Sequence, residues 1–228
     1  MSVKGYQLLQ KVKVIVGYKT YINLIENLIS EEQKIFSTGM GKEKKRVKKA
    51  IDFVQNGKST ALISSGDPGI YGMAGLALEF IKKYNIDIDL EIVPGITAGS
   101  AAAASLGAPL MHDFAVISLS DLLTPWEVIE KRLHKAAAGD FVIVLYNPRS
   151  KNRKKQIIKA QKIMLDYKEP TTPVGIVRNV KRGKEKIAVS NLKNMLEHKI
   201  NMLTTVIIGN NHTMSYNDFM ITPRGYKL

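Results

Sequence analysis

The chain has 228 residues, no cysteine, and 34 Lys and Arg against 20 Asp and Glu, a formal net charge of +14. That length fits one large domain or two small ones, and 45% hydrophobic with 24% charged residues is a globular mix. The missing cysteines exclude disulfides, thiolate catalysis, iron–sulfur clusters and cysteine-based zinc sites. His112, His134, His198 and His212 lack the i, i+4 spacing of a helical zinc site, so no metal is expected. No apolar run reaches the roughly 18 residues that a membrane span needs. The N-terminus MSVKGYQLLQKVK has no long apolar core followed by a small-residue cleavage site. A cytoplasmic location is the expectation. The charge points to an anionic partner, either nucleic acid or a small molecule with many carboxylates, beside the plainer reading of solubility.

In chain order the pattern alternates helix and strand, the sign of an α/β fold. Residues 42–55 place Val47, Ala50, Ile51 and Val54 on one helical face, and Gly57 stops the helix. Residues 60–64 read as a short buried strand, 69–84 as a helix, 88–93 as a strand, 96–106 as a small-residue helix and 114–119 as a strand. Thr124 then predicts an N-cap, with Pro125 at the first helical position and Glu127 three residues after the cap, for a helix to about Ala138. Residues 141–146, rich in Val and Ile, predict a buried central strand. Residues 152–167 predict a basic helix with Ile157, Ala160, Ile163 and Met164 inward, and strands near 174–177, 187–189 and 205–208 follow. The segment GAPLMHD (107–113) separates two alternating blocks, which predicts domains at 1–111 and 112–228.

Several loops carry candidate chemistry. SSGDPGIYG (64–72) follows a buried strand and opens a helix, where α/β proteins bind ligands. Gly66 and Gly69 allow close backbone approach. Asp67, extended before Pro68, either receives a ligand hydroxyl or amine or serves as a helix N-cap with Pro68 at the first helical position. PGITAGS (94–100) repeats the arrangement, and its Gly, Ala and Ser helix lets a ligand or the sheet pack close. Asn147 ends the central strand before a proline, with Arg149, Lys151, Arg153, Lys154 and Lys155 behind it. Arg178 and Asn179 end another strand, and arginine suits carboxylates. The run KEKKRVKK (42–49) reads as an exposed helix face, or as the wall of an anion-binding cleft. His112, Asp113 and Asp121 are the catalytic candidates, although adjacent residues such as His112 and Asp113 seldom face each other.

Six segments in order carry a resemblance: VGYKTYINLI (16–25), SSGDPGIYGMAG (64–75), VPGITAGSAAAASLGAPLMHDF (93–114), SLSDLLTPWEVIEKR (118–132), YNPRSKNR (146–153) and TPVGIVRNVKR (172–182). Together they resemble the precorrin-3B C17-methyltransferases, and their cobalt-pathway counterparts the cobalt-factor III methyltransferases, within the tetrapyrrole methylase superfamily. The resemblance implies a two-domain α/β fold with S-adenosylmethionine in a cleft between the domains, S-adenosylhomocysteine as product, and a homodimer. Ser65, Gly66, Asp67, Ile70, Thr97, Ala98, Asn147 and Gly175 carry over as cofactor-binding positions. Lys19, Arg149, Arg153 and Arg178 are the substrate-binding candidates, for the carboxylates of an acidic tetrapyrrole. The implied reaction methylates C17 of the macrocycle and contracts the ring by extruding C20, in cobalamin biosynthesis.

Members of the family begin with a strand and a GxGPG-type loop. This sequence starts in what reads as the helix after that loop, residues 2–10, so an open sheet edge or open core is expected. No iron–sulfur region is expected. The competing readings are another tetrapyrrole or ribosomal RNA methylase and a basic nucleic-acid-binding protein. Segments 118–132 and 146–153 argue against the first. The lack of aromatic residues interleaved with the basic ones argues against the second, so neither nucleic acid nor membrane is an expected partner.

Overall fold

A computed structural model describes residues 1–227. The chain divides into two compact units, Met1–Thr97 and Ala98–Leu228.

In the first unit, helix α1 (Val3–Lys11) leads into strand β1 (Val14–Tyr18), short helix α2 (Lys19–Asn23), strand β2 (Lys34–Thr38), helix α3 (Glu43–Gln55), strand β3 (Thr60–Leu62) and helix α4 (Ala74–Lys83). The sheet is parallel, in the order β2-β1-β3. Side chains alternate across β1. Val14 and Val16 pack on Ala50 and Phe53 of α3, while Ile15 packs with Leu9 and Ile22 on the opposite face. β1 is buried from Val14 to Gly17 and β3 half-buried; among the described residues β1 is the only ladder partner of β3.

Residues 88–93, expected as a strand, form none. Their apolar–acidic alternation is real, but no described strand pairs with them, and Leu90 and Ile92 stay more than 40% exposed. An extended segment without a ladder partner leaves its polar groups to water and side chains. Here the Ser2 hydroxyl donates to the Pro94 carbonyl, and Lys4 pairs with Glu91.

The second unit opens with helix α5 (Ala98–Leu106) and strand β4 (Gly107–Ala108). Strand β5 (Phe114–Ser118), helix α6 (Trp126–Ala138), strand β6 (Val142–Tyr146) and helix α7 (Gln156–Leu165) follow. Strands β7 (Pro173–Arg178), β8 (Lys186–Asn191), β9 (Thr204–Ile208), β10 (Met214–Tyr216) and β11 (Phe219–Ile221) complete it. The main sheet runs β5-β6-β9-β7-β8. Ile143, Leu145, Val174, Ile176, Val206 and Ile208 face α6 and α7, whereas Val142, Val144, Val177 and Ile207 face α5. The sheet is thus covered on both sides, which is why β6 is an uninterrupted apolar run and β9 is buried at every position. A separate small sheet, β10-β11-β4, places Met220 against the α5 side.

The division at Thr97 and Ala98 falls ahead of the expected one after residue 111. Ala102 and Leu106 of α5 are fully buried against the second unit's sheet, so packing draws 98–111 into that unit. The Gly-Pro punctuation at 107–113 marks a turn within a unit instead. Several helix starts also move. α6 begins at Trp126 with Pro125 as its N-cap, one residue later than the capping pattern suggests. α7 begins at Gln156 because residues 150–153 close a turn in which the Arg153 N–H donates to Ser150 Oγ and the Ser150 N–H to the Arg153 carbonyl.

Gly175 in β7 is buried, and a Cβ there would overlap the Leu106 side chain of α5. Gly175→Ala is expected to cost roughly 1–3 kcal/mol by overpacking. Denaturant titration of that variant, of Leu106→Ala and of the double variant checks this: the double should lose less than the sum of the singles.

Candidate functional site

In the first unit the C-terminal ends of three parallel strands meet at one edge of the sheet, and the loops that leave them hold the candidates. After β3 the chain does not enter helix at once. Gly66 has φ +78° and Tyr71 φ +55°, so residues 64–73 coil before α4 begins at Ala74. The Ser64 hydroxyl accepts from the Met73 N–H at 3.0 Å and closes this coil.

Asp67 is the centre of it. Its Oδ1 accepts from the Gly69 N–H at 2.8 Å, and its Oδ2 accepts from the Gly95 N–H at 2.9 Å. Of the two readings left open by the sequence, the structure takes neither whole. Asp67 is no helix N-cap, since α4 starts seven positions on, and both its carboxylate oxygens are engaged by backbone. The carboxylate joins two loops distant in sequence. Gly95 is needed at this junction because a Cβ there would overlap the Gly66 carbonyl. Around the junction Gly66, Gly69 and Ile70 are exposed, and Ser65 and Thr97 half-buried. The loop pair therefore offers open backbone and one apolar side chain on a fixed frame.

Arg46 belongs to the same edge, and sequence reasoning missed it. Within the run 42–49 it alone among the cations is buried, at 4% exposure. Its guanidinium donates to Thr38 Oγ1 and the Gly39 carbonyl just beyond β2, and to Glu43 Oε1 at 2.8 Å. The signal was present: Arg46 adjoins Val47 on the apolar face of α3. The remaining lysines follow the exposed-face reading, with Lys44, Lys45 and Lys48 in solvent. Lys19 is exposed at the first position of α2, just past β1.

Partial burial would push the Glu43 carboxyl up, but hydrogen bonds from its own backbone N–H and from Arg46, with the Arg46 charge, hold it below the ordinary glutamate value. A carboxyl lowered by folding adds stability above its unfolded pKa and loses it as pH falls through the folded one. Stability measured across the acid range should thus fall less steeply in Glu43→Gln than in the unaltered chain.

In the second unit β5, β6 and β7 are mutually aligned, so Ser118, Tyr146 and Arg178 end at one edge of the main sheet. Asn147 there has φ +50°, a conformation asparagine tolerates. Its Nδ2 donates to Ser118 Oγ at 3.0 Å, and its carbonyl accepts from Arg153 Nη2 at 2.8 Å. Arg153 also reaches Ser120 Oγ at 3.4 Å. Arg153, a candidate for substrate carboxylates, thus also holds the Asn147 turn. Arg149 remains exposed and Arg178 half-buried. The Tyr146 hydroxyl accepts from the Gly99 N–H at 2.6 Å, which fixes the start of α5 and with it Ala98. What packs close to the small-residue helix is this sheet: a Cβ on Gly99 would lie 3.3 Å from Val144 Cγ1.

The catalytic candidates are not brought together. Asp121 lies past the C-terminal end of β5, where its Oδ2 accepts from Gln156 Nε2 at 2.6 Å. His112 and Asp113 precede β5, at the opposite edge of the sheet. Both are exposed, and His112 Nδ1 accepts from the Asp113 N–H. That separation rules out a shared site for the pair with Asp121, Asn147 and Arg178. A polar pocket of about 440 Å³ between Tyr167, Thr172, Asn210 and Asn211 also lies at the far edge.

Loops at the carboxyl ends of parallel strands, one of them joined to the 94–97 loop by a half-buried carboxylate–amide bridge, are where α/β proteins bind ligands. Residues 1–196 match the family model described as Tetrapyrrole (Corrin/Porphyrin) Methylases, and the chain belongs to that family. It is 47% identical over 228 residues to a Salmonella typhimurium protein named "Probable cobalt-factor III C(17)-methyltransferase", covering 100% of this chain and 94% of the relative. It is 50% identical to the "Cobalt-factor III methyltransferase" of Priestia megaterium, covering 98% of this chain but 42% of that longer protein. The crystal structure of the methyltransferase CobJ superposes with a TM-score of 0.93 at 35% identity, over 98% of this chain and 93% of that one.

Asp67→Asn replaces an acceptor with a donor facing one of two N–H groups. At this half-buried position an unsatisfied partner costs toward the lower end of the roughly 1–3 kcal/mol for a buried group, so thermal stability should fall and the dissociation constant for S-adenosylhomocysteine should rise. Calorimetric titration giving the unaltered constant would contradict this.

Proposed function

We propose that the chain transfers a methyl group from S-adenosylmethionine to C17 of cobalt-factor III, with ring contraction, in cobalamin biosynthesis. The observation that carries the reading is 47% identity along the full chain to a relative of matching length that bears this name. The positive charge is in keeping with it. Fourteen of the 34 Lys and Arg, and ten of the 20 Asp and Glu, lie in 1–97, which leaves 20 cations against ten carboxylates in the second unit. An acidic tetrapyrrole is the partner this suits.

The fit to the cofactor rests on the first-unit loops. Open backbone at Gly66 and Gly69 suits the polar atoms of an amino-acid and ribose group, and exposed Ile70 suits an adenine face. When bound, S-adenosylmethionine supplies an electrophilic methyl on a sulfonium. No protein nucleophile is required, because the electron-rich macrocycle carbon is itself the nucleophile. The chain's own residues position. Asp67 holds the 64–73 and 94–97 loops in register, and Arg153 holds the Asn147 turn. Holding two reactants in line accounts for a large share of a methyl-transfer rate.

The proposal includes a homodimer in the cytoplasm. Among the described residues no helix is long and apolar enough to cross a membrane. The test is incubation with S-adenosylmethionine and cobalt-factor III, followed by mass and absorbance. One added methyl and a ring-contracted chromophore are expected. Methylation of precorrin-3B alone would move the substrate to the cobalt-free series, and S-adenosylhomocysteine binding without methylation of either would overturn the assignment.

A further inference from the structure

One apolar feature is unexplained by the fold. Leu122 and Leu123, adjacent on the loop between β5 and α6, are 81% and 94% exposed. Two neighbouring leucines at a loop tip leave apolar area in water that burial would make favourable. The loop is nevertheless held at both ends. On one side the Ser120 N–H donates to Ser118 Oγ, Arg153 reaches Ser120 Oγ, and Gln156 donates to Asp121 at 2.6 Å. On the other side Trp126 packs into the main core, with Lys159 Nζ 5.0 Å from its ring centroid. The tip is therefore presented on a fixed frame.

Its surroundings are cationic. The loop after β6 neighbours it through the Arg153–Ser120 and Gln156–Asp121 bonds, and carries exposed Arg149, Lys151, Lys154 and Lys155. The β7–β8 hairpin at the same sheet edge adds exposed Lys184 and Lys186, and Lys181, which pairs with Glu185 at 3.6 Å. Asp121 is the one carboxylate on the leucine loop, and Gln156 engages it. An apolar point ringed by cations is complementary to a flat apolar ring with carboxylates on its rim, and to neither a plain polyanion nor a plain hydrocarbon.

We infer that Leu122 and Leu123 make the apolar contact with the face of a planar macrocyclic polycarboxylate while Arg149 and Lys151 meet its rim. This deepens the proposed function and rests on it. It assigns part of the substrate's recognition to the second unit's leucine loop, and it makes Arg153 and Gln156 positioning residues for that loop.

The test uses the full chain and uroporphyrin III, a flat octacarboxylate, as the probe, with benzenehexacarboxylate as a charged ligand lacking a large face. Binding is read by fluorescence and calorimetry. Leu122→Ser/Leu123→Ser should weaken uroporphyrin III binding by roughly tenfold or more, leave benzenehexacarboxylate binding and the S-adenosylhomocysteine constant unchanged, and keep the melting temperature. Arg149→Ala/Lys151→Ala should weaken both polycarboxylates, with a shallower salt dependence of what remains. Gln156→Leu, which releases Asp121 without touching the leucines, should reproduce part of the first effect. Unchanged uroporphyrin III binding in the leucine variant, or no binding by the unaltered chain, overturns the inference. So does a leucine variant that changes oligomeric state on a sizing column, which would make a second copy the occupant. If the unaltered chain methylates cobalt-factor III while the leucine variant binds uroporphyrin III normally, the inference fails and the proposed function stands. If it neither binds S-adenosylhomocysteine nor methylates, the proposed function fails.

Discussion

The carboxylate of Asp67 accepts from two backbone N–H groups, one in its own loop and one 28 residues further on. A charged acceptor between two amides is stronger than a neutral hydrogen bond, and it is short-range and directional. It draws the Gly66 carbonyl so close to Gly95 that only glycine fits. Everything the first unit offers a ligand depends on this junction. The sheet sets where the loops leave, but the aspartate decides that the 64–73 and 94–97 loops form one surface. The arrangement suits a protein whose chemistry is positioning, because it fixes backbone atoms without using any side chain that must titrate or react.

The second unit solves the same problem in another way. Its strand-end loops are joined by side chains: Asn147 to Ser118, Arg153 to the Asn147 carbonyl and Ser120, and Gln156 to Asp121. Beneath them the sheet is covered on both faces, and the Tyr146 hydroxyl anchors α5 through Gly99. The result is a cross-braced edge in the unit that carries most of the chain's excess positive charge. That combination of apolar and cationic groups is the basis of the inferred contact with a flat, acidic substrate.

Much of this was legible in the sequence. The alternation of α3, β3, β5, α6 and β6 followed from apolar spacing, and the loops 64–72, 94–100 and 146–153 were identifiable as candidates. Other parts were hidden because they depend on partners. The pattern at 88–93 is that of a strand, but a strand needs a neighbour and none is present among the described residues. The start of α4 was misplaced because Pro68 looks like a first helical residue, whereas Tyr71 with positive φ keeps the chain coiled for another turn. The unit division moved because the burial of Leu106 under Gly175 outweighs the local Gly-Pro signal. Spacing could not reveal that Arg153 also holds the Asn147 turn, nor that His112 and Asp113 lie at the end of β5 opposite Asp121.

The central claim is that the loops joined by Asp67 seat the cofactor. The most direct measurement is an amide chemical-shift titration of the isotopically labelled chain with S-adenosylhomocysteine. The account predicts that the Gly66, Gly69, Ile70 and Thr97 amides shift together and saturate with one constant, while Asp113 and its neighbours before β5 stay still. Saturating shifts confined to the edge around His112, or no shift at Gly66 to Ile70 while the ligand demonstrably binds, would contradict it.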